Sequence, residues 1–370
     1  MDNSTKKDKK LYDTLKDDIS EGGFKNNIST DFEELKEFFL NDERKQRLAG
    51  MGKFKRFFYM SWWLLSELLL KLTPTRRLVL VVGIILLVLP GRFGLNGGDV
   101  NLSSNTSIFG GILILFVLML ELKDKLLAKG ELSAGRTVQK ALMSERNPKV
   151  AGWKIWLFTQ PANDVGGDLV DIIQLNEKRH GVTIADVSGK GLGAALLMAK
   201  LQTIIRAFTP EHTSLSFLFE KLNSAFFKDI LPNSFASMIY IQINENQDKI
   251  ELMNAGHLPP IVIKNGSLTF LEKGNVALGL TGNAQFKSET IKIKNGEYLI
   301  AFSDGVTEAR DVLGNFFGVD RLAKFLEKTS YNSPEQLGQK LLNQVKLFIG
   351  DAKAHDDLSV VILKRENDLE

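Results

Sequence analysis

Cysteine is absent from the chain, which excludes disulfides, thiolate-bound zinc and cysteine nucleophiles. Histidine is scarce: His180, His212, His257 and His355 stand singly, and no HExxH-type pair offers a zinc site. Excess charge is missing too. A net charge of +3 on 370 residues leaves no electrostatic footprint for nucleic acid, and no arginine-rich stripe with interleaved aromatics occurs. The first 50 residues are polar, so no cleavable secretory leader is expected. What is present is 44% hydrophobic and 25% charged residues, proportions that suit one or two folded domains.

Residues 1–56 read as a polar cytoplasmic N-terminal tail, interrupted by a short helical pattern at Phe32, Leu35, Phe38, Phe39 and Leu40. Residues 57–73 read as an interfacial amphipathic helix, because Trp62 and Trp63 favour the headgroup level and Glu67 and Lys71 interrupt the apolar run; a buried helix is the alternative. Residues 74–122 then hold two apolar runs, Leu78–Pro90 (extendable to about Leu95) and Ile108–Leu120. Each run falls short of the roughly 20 residues of a spanning helix, so core helices of a soluble domain stay open. Because both runs are apolar all round, a two-span transmembrane hairpin over 78–120 is expected, joined by a polar Gly/Asn/Ser loop. Lys53, Lys55, Arg56, Lys71, Arg76 and Arg77 precede it and Lys123, Lys125 and Lys129 follow it, which places both termini in the cytoplasm of a bacterial inner membrane. Residues 123–148 read as a linker helix ended by Pro148, either solvated or pairing two chains through 121–146 into a homodimer.

From 149 to 366 the texture changes to short β-like runs: Lys154–Phe158, Gly181–Ala185, Ser237–Ile243, Ile250–Met253, Pro260–Ile263, Tyr298–Phe302 and Leu358–Leu363. Helical patterns occur at Ala194–Phe208, Val319–Lys328 and Pro334–Phe348, the last opened by a Ser333 N-cap before Pro334. Strands with helices inserted between them predict an α+β layered fold.

Four aspartates stand beside glycine or a small turn at the end of an apolar run: Asp168, Asp186, Asp304 and Asp356. Each alone reads equally well as a turn or helix cap. Together, an oxygen-only donor set selects hard cations such as Mg²⁺ or Mn²⁺. Two such ions sharing a water would present hydroxide for attack on phosphorus.

The strings Pro161-Ala162-Asn163-Asp164-Val165-Gly166-Gly167-Asp168, Ile184-Ala185-Asp186-Val187-Ser188-Gly189-Lys190-Gly191, Asn254-Ala255-Gly256-His257-Leu258-Pro259-Pro260, Phe302-Ser303-Asp304-Gly305-Val306-Thr307-Glu308-Ala309 and Asp356-Asp357-Leu358-Ser359 are similar, in order and spacing, to the metal-dependent PPM (PP2C-type) phosphatases. The closer likeness is to the bacterial branch of the stage II sporulation protein E domain and the sigma-factor-regulatory phosphatases. That resemblance covers about Glu131 to Lys364. It implies a PP2C-like β-sandwich of two antiparallel sheets flanked by helices, and a serine/threonine phosphatase binding two Mn²⁺ or Mg²⁺ ions. It further implies that Asp186 bridges both ions, that the Val187 carbonyl and a water held by Asp168 serve one, and that Asp304 and Asp356 serve the other. Gly167, Asn254, His257, Gly305 and Asp357 are the supporting candidates, with a packing role for His257 equally open. The substrate class implied is a phosphorylated regulatory protein, of the anti-sigma-factor-antagonist type. A catalytically silent binding module of the same fold is the alternative. Val170 and Ala185 depart from residues frequent in such proteins, and neither removes a ligand.

Two other readings fail on their residues. Ser188–Gly193 lacks the GxxxxGK[ST] order of a phosphate loop, and Gly166-Gly167-Asp168 continues as Leu169-Val170 where a nucleotide cyclase has Glu-Phe.

Overall fold

The computed structural model describes residues 42–89, 91–97 and 100–366; the pattern at Phe32–Leu40 lies outside them. The chain forms two compact units, one up to Leu126 and one from Leu127 onward.

In the first unit the helices are α1 (Asp42–Ala49), α2 (Lys53–Lys71) and α3 (Pro74–Val88), followed by the start of α4 (Thr106–Leu142). Helix α2 begins four residues before the expected Phe57. It ends where Arg77 covers its last carbonyls: the guanidinium donates to Leu69 O, Leu70 O and Leu72 O at 2.8, 3.0 and 3.1 Å. Pro74 at the first helical position then opens α3. At 15 residues, α3 is about 22 Å long and stops at Val88, short of the expected Leu95. The stretch expected as an irregular loop is instead a two-stranded antiparallel hairpin, β1 (Arg92–Gly97) with β2 (Val100–Asn105). The helix has already ended at Val88, and the backbone groups then pair across the hairpin. Arg76 joins α3 to α4 by ion pairs of 2.7 Å to both Glu121 and Asp124. Outside these contacts α3 and α4 carry exposed Leu78, Ile85, Val88, Ile108, Phe109, Ile112, Phe116 and Met119.

Helix α4 is continuous from the second apolar run into the linker, and it ends at Leu142 rather than near Pro148. Tertiary bonds explain the early stop. Ser144 Oγ reaches Asp171, Leu142 O accepts from Gln202 Nε2, and Arg146 O accepts the Leu157 N–H. Backbone and side-chain groups that would have continued the helix are thus committed elsewhere.

The second unit is a sandwich of two antiparallel sheets between helical layers. One sheet has the order β10 (Ser267–Phe270), β9 (Ile261–Lys264), β12 (Tyr298–Phe302), β13 (Leu358–Arg365), β4 (Trp153–Gln160), β3 (Lys149–Val150). The other runs β11 (Glu289–Lys292), β8 (Lys249–Ala255), β7 (Ala236–Asn244), β6 (Arg179–Val187), β5 (Leu169–Gln174). Period-two alternation sorts the side chains. On β6, Val182 and Ile184 face the other sheet and pack with Ile239, Val361 and Leu299. Ala185 and Val187 face away, toward helices α5 (Gly191–Phe208) and α6 (Leu215–Lys228). The opposite sheet is covered by α8 (Gly318–Lys328) and α9 (Pro334–Ile349) through Leu322, Leu326, Leu337 and Leu341. Fully burying each such side chain is worth about 1.5–3 kcal/mol. The two faces of each sheet, one on its partner sheet and one on helices, therefore account for strands that are apolar on both sides.

Candidate metal-binding active site

The site lies where the ends of four strands meet. Asp168 immediately precedes β5, Asp186 is the penultimate residue of β6 opposite Ser237 on β7, and Asp304 opens the one-turn helix α7 (Asp304–Thr307) after β12. Asp356 and Asp357 lead into β13, which pairs with β12 on one side and β4 on the other. Antiparallel pairing thus gathers residues nearly 190 positions apart at one edge of the sandwich.

Asp357 is the anchor of this edge. Its Oδ1 accepts the Ala162 N–H at 2.8 Å and its Oδ2 accepts those of Gly167 and Asp168 at 2.7 and 3.3 Å. Its carbonyl accepts the Ser303 hydroxyl at 3.1 Å. One residue therefore ties the 161–168 loop, through its carboxylate, and the β12 end, through its carbonyl, to the start of β13. Two glycines permit the close approach. A Cβ on Gly305 would collide with the Asp357 carbonyl oxygen, and one on Gly167 would lie 2.9 Å from Val187 O. The Val187 carbonyl, an expected ligand, is accordingly left uncovered by side chain on the Gly167 side.

Asp186, Asp356 and Asp357 line one cleft with Gly166, Gly167 and Lys190, and its volume is about 10 Å³. Asp304 and Asp168 adjoin it electrostatically. Burial and the charges of Asp304, Asp356 and Asp357 push the Asp186 carboxyl up to about 7, with Lys190 opposing them. Burial and Asp356 likewise raise Asp304. Asp168 is only 4% exposed, and burial with the charge of Asp186 raises it well above the usual carboxylate range. Its Oδ2 is buried with no hydrogen-bond partner. Lys190, in the Ser188–Gly193 segment that lacks the order of a phosphate loop, puts its ammonium 3.0 Å from Asp356 Oδ2 and 2.7 Å from His355 O.

Among the described residues, no three His, Cys, Asp or Glu side chains form a ready-made metal cage; Asp356 is turned to Lys190 and Asp168 is held deeper. The donor chemistry nonetheless fits divalent cations. It is oxygen-only, its carboxylates raise one another's proton affinity, and a buried carboxylate oxygen lacks any partner. An isolated buried charge of this kind is costly unless it is paired or neutralised.

Asn254 and His257 form the adjoining wall. Each side chain or backbone serves the other: His257 N–H donates to Asn254 Oδ1 at 2.8 Å, and Asn254 Nδ2 donates to His257 O at 3.1 Å. The His257 ring sits 2.7 Å from the Ser237 hydroxyl through Nδ1. Burial pushes its imidazole down to about 4. This geometry makes His257 a buried neutral brace behind Asp186's neighbour on β7.

The Stage II sporulation protein E (SpoIIE) family matches residues 176–366, more than half of the chain. Asp186, Asp304 and Asp356 fall inside that segment and Asp168 just before it. The chain is 26% identical over 240 residues to phosphoserine phosphatase RsbU of Bacillus subtilis (strain 168), covering 64% of this chain and 71% of that one. It is 28% identical over 192 residues to phosphoserine phosphatase RsbP of the same organism, covering 50% of this chain and 47% of that one. In fold it is similar to the PP2C phosphatase domain and regulatory fragment of SpoIIE from Bacillus subtilis, with a TM-score of 0.52 at 15% identity over 59% of this chain and 64% of that one. The SiaA-PP2C domain of Pseudomonas aeruginosa gives 0.56 at 13% identity over 65% and 98%. The chain therefore belongs to the SpoIIE family, the PP2C-type serine phosphatases of the SpoIIE/RsbU kind.

Proposed function

We propose that this chain is a membrane-anchored, divalent-metal-dependent phosphatase that removes phosphate from serine or threonine of a regulatory protein, of the anti-sigma-factor-antagonist type. The observation that carries the reading is the convergence of Asp168, Asp186, Asp304 and Asp356 on one edge, where their mutual repulsion and the orphaned Asp168 Oδ2 call for cations. Asp186 would bridge two ions, Val187 O and a water on Asp168 would serve one, and Asp304 and Asp356 the other. Such a pair, when bound, lowers the pKa of a shared water and so supplies a nucleophile for phosphorus.

The chain's own residues set the rest. Asp357 fixes the loop bearing Asp168 relative to the strand bearing Asp356, and Lys190 adds positive charge at the rim for a phosphate dianion. A cleft of about 10 Å³ is far below the roughly 300–1,000 Å³ of small-molecule pockets. Larger clefts exist, one of about 710 Å³ beside Asn147–Ile155 and Ser333–Glu335, but none of its lining residues belongs to the carboxylate cluster. A cleft lined by carboxylates, glycines and Lys190 with no room for an organic substrate suits a phosphate presented on a protein surface. RsbU and RsbP, both phosphoserine phosphatases by name, support the same chemistry.

The membrane anchor rests on the first unit. Two helices among the described residues are long and apolar enough to cross a membrane, Thr106–Leu142 and Gly191–Glu211. The second is a core helix of the sandwich, with Met198, Leu201 and Ile205 buried; the first presents its apolar residues outward. If the 15-residue α3 crosses beside α4, the basic residues on both flanks of 78–120 would keep the catalytic unit on the cytoplasmic side by the positive-inside rule.

The decisive experiment is phosphate release from a phosphoserine protein and from p-nitrophenyl phosphate, with Mn²⁺, with Mg²⁺ and in EDTA. Turnover confined to the metal-containing samples, and abolished by Asp304→Asn in a folded protein, is expected. The Lys190–Asp356 ion pair, with no preformed cage among the described residues, favours one second reading, a catalytically silent binding module. Metal binding with no turnover on either substrate would select it.

A further inference from the structure

We propose that the hairpin Ala309–Phe317 is the docking element for the phosphoprotein substrate, with Val312 and Leu313 at its tip seated against an apolar patch of that protein; this rests on the phosphatase reading above. The hairpin begins two residues after the catalytic turn Asp304–Thr307, and the charge of Glu308, between them, already acts on Asp304. It therefore starts beside the carboxylate cluster.

Its construction is rigid for a surface loop. Phe317 N–H donates to Ala309 O at 2.8 Å, Asp311 N–H to Asn315 O at 3.1 Å, and Gly314 N–H to Asp311 O at 3.0 Å. Arg310 and Phe316 form an antiparallel bridge, with the Arg310 guanidinium 4.9 Å from the centre of the Phe316 ring. The Asp311 carboxylate fills the turn, accepting from Leu313 N–H at 2.9 Å, Asn315 N–H at 2.8 Å and Asn315 Nδ2 at 2.9 Å. Arg321 of α8 grips the base through Phe316 O and Phe317 O.

This framework holds up apolar side chains where a turn would ordinarily be polar. Val312 is 70% and Leu313 82% exposed, and Phe316 and Val319 are exposed beside them. A preorganised element loses little freedom on binding, and seating exposed aliphatic side chains against an apolar patch is favourable in proportion to the area removed from water. The carboxylate cleft, lined by Asp186, Asp356, Asp357, Lys190 and glycines, offers no apolar surface to supply specificity of that kind. A phosphoseryl side chain is short, so the surface bearing it must lie against the rim, and the hairpin is the exposed apolar element that follows directly on Asp304.

The test uses the full chain in detergent micelles, comparing wild type with the double variant Val312→Ser/Leu313→Ser on two substrates. One is p-nitrophenyl phosphate and the other a serine-phosphorylated anti-sigma-factor antagonist. The expected result is a fall of at least about tenfold in kcat/KM for the phosphoprotein, expressed mainly in KM, with the small ester unchanged within about twofold. No change on either substrate, or an equal loss on both, overturns the proposal. Altered sedimentation of the variant would assign the tip to contacts with a second copy and also overturn it. Wild type active on the ester but inert toward the phosphoprotein removes the substrate reading and this docking surface together. Wild type inert on both removes the phosphatase reading itself.

Discussion

The carboxylate cluster makes a quantitative prediction for the protein stripped of metal. Burial and three neighbouring charges raise the Asp186 carboxyl from 3.8 to about 7. For an acid raised in this way, the folded state is favoured below the unfolded value near 4 and loses that advantage as pH climbs through 7. A shift of about three pH units corresponds to about 4 kcal/mol at pH 8. Asp168 and Asp304 are shifted in the same direction, so the cost is shared within the cluster. Replacing Asp186 by Asn removes its charge and keeps its shape. In EDTA, wild type and Asp186→Asn are expected to differ in unfolding free energy by less than about 1 kcal/mol at pH 4 and by about 1.5–2 kcal/mol at pH 5. By pH 8 the variant should be the more stable by about 4 kcal/mol. Urea denaturation of segment 127–370, a compact unit with its own core, followed at several pH values, reads the difference directly. With millimolar Mn²⁺ the order should invert, because the ion binds the folded wild type and stabilises it by mass action. Parallel wild-type and variant curves across pH 5–8 in EDTA would refute the electrostatic reasoning.

Three further outcomes follow from the same geometry. Asp357→Ala leaves the N–H groups of Ala162, Gly167 and Asp168 without their acceptor and should cost about 3 kcal/mol in urea denaturation; Asp357→Asn, which keeps one oxygen, should cost less. Gly305→Ala drives a methyl into the Asp357 carbonyl and should destabilise by about 1–3 kcal/mol, with metal affinity falling in the same variant as Asp304 moves. The His257 imidazole, pushed down to about 4, contributes stability that is complete above its ordinary 6.5 and disappears as pH falls toward 4. The His257→Gln protein should accordingly show a flatter stability profile over that interval.

The parts of the fold legible in the sequence were those whose pattern is local. Strands β4, β6, β7, β12 and β13 are runs of branched and aromatic residues bounded by turns, and Ser333-Pro334 marks the start of α9, where Ser333 Oγ does accept the Gln336 N–H at 3.1 Å. Other elements were hidden by polarity. Strand β5 carries Asp171, which reads as a break until Arg206 is seen to clamp it at 2.8 and 2.9 Å across the helix–sheet interface. Edge strands β10 and β11 are short and largely exposed, so they lack an apolar signature. Helix α6 escaped notice although Ser214 caps it and Leu215, Leu218, Phe219, Leu222 and Phe226 repeat at helical spacing; its signal was present and legible. At the site, the aspartates stand out because strand ends beside glycine are conspicuous. The role of Asp357 as a three-donor anchor and the approach of Lys190 to Asp356 depend on contacts between segments some 165 to 195 residues apart, which no local spacing encodes.

The central claim is that Asp168, Asp186, Asp304 and Asp356 jointly hold divalent cations. Calorimetric titration of Mn²⁺ into the metal-free full-length protein at pH 7.5 addresses it most directly, with Asp186→Asn alongside. Two ions per chain in the wild type, and loss of both sites in the variant, is the expected result. Wild-type protein that takes up no Mn²⁺, or an Asp186→Asn variant that binds it as well, would contradict the account.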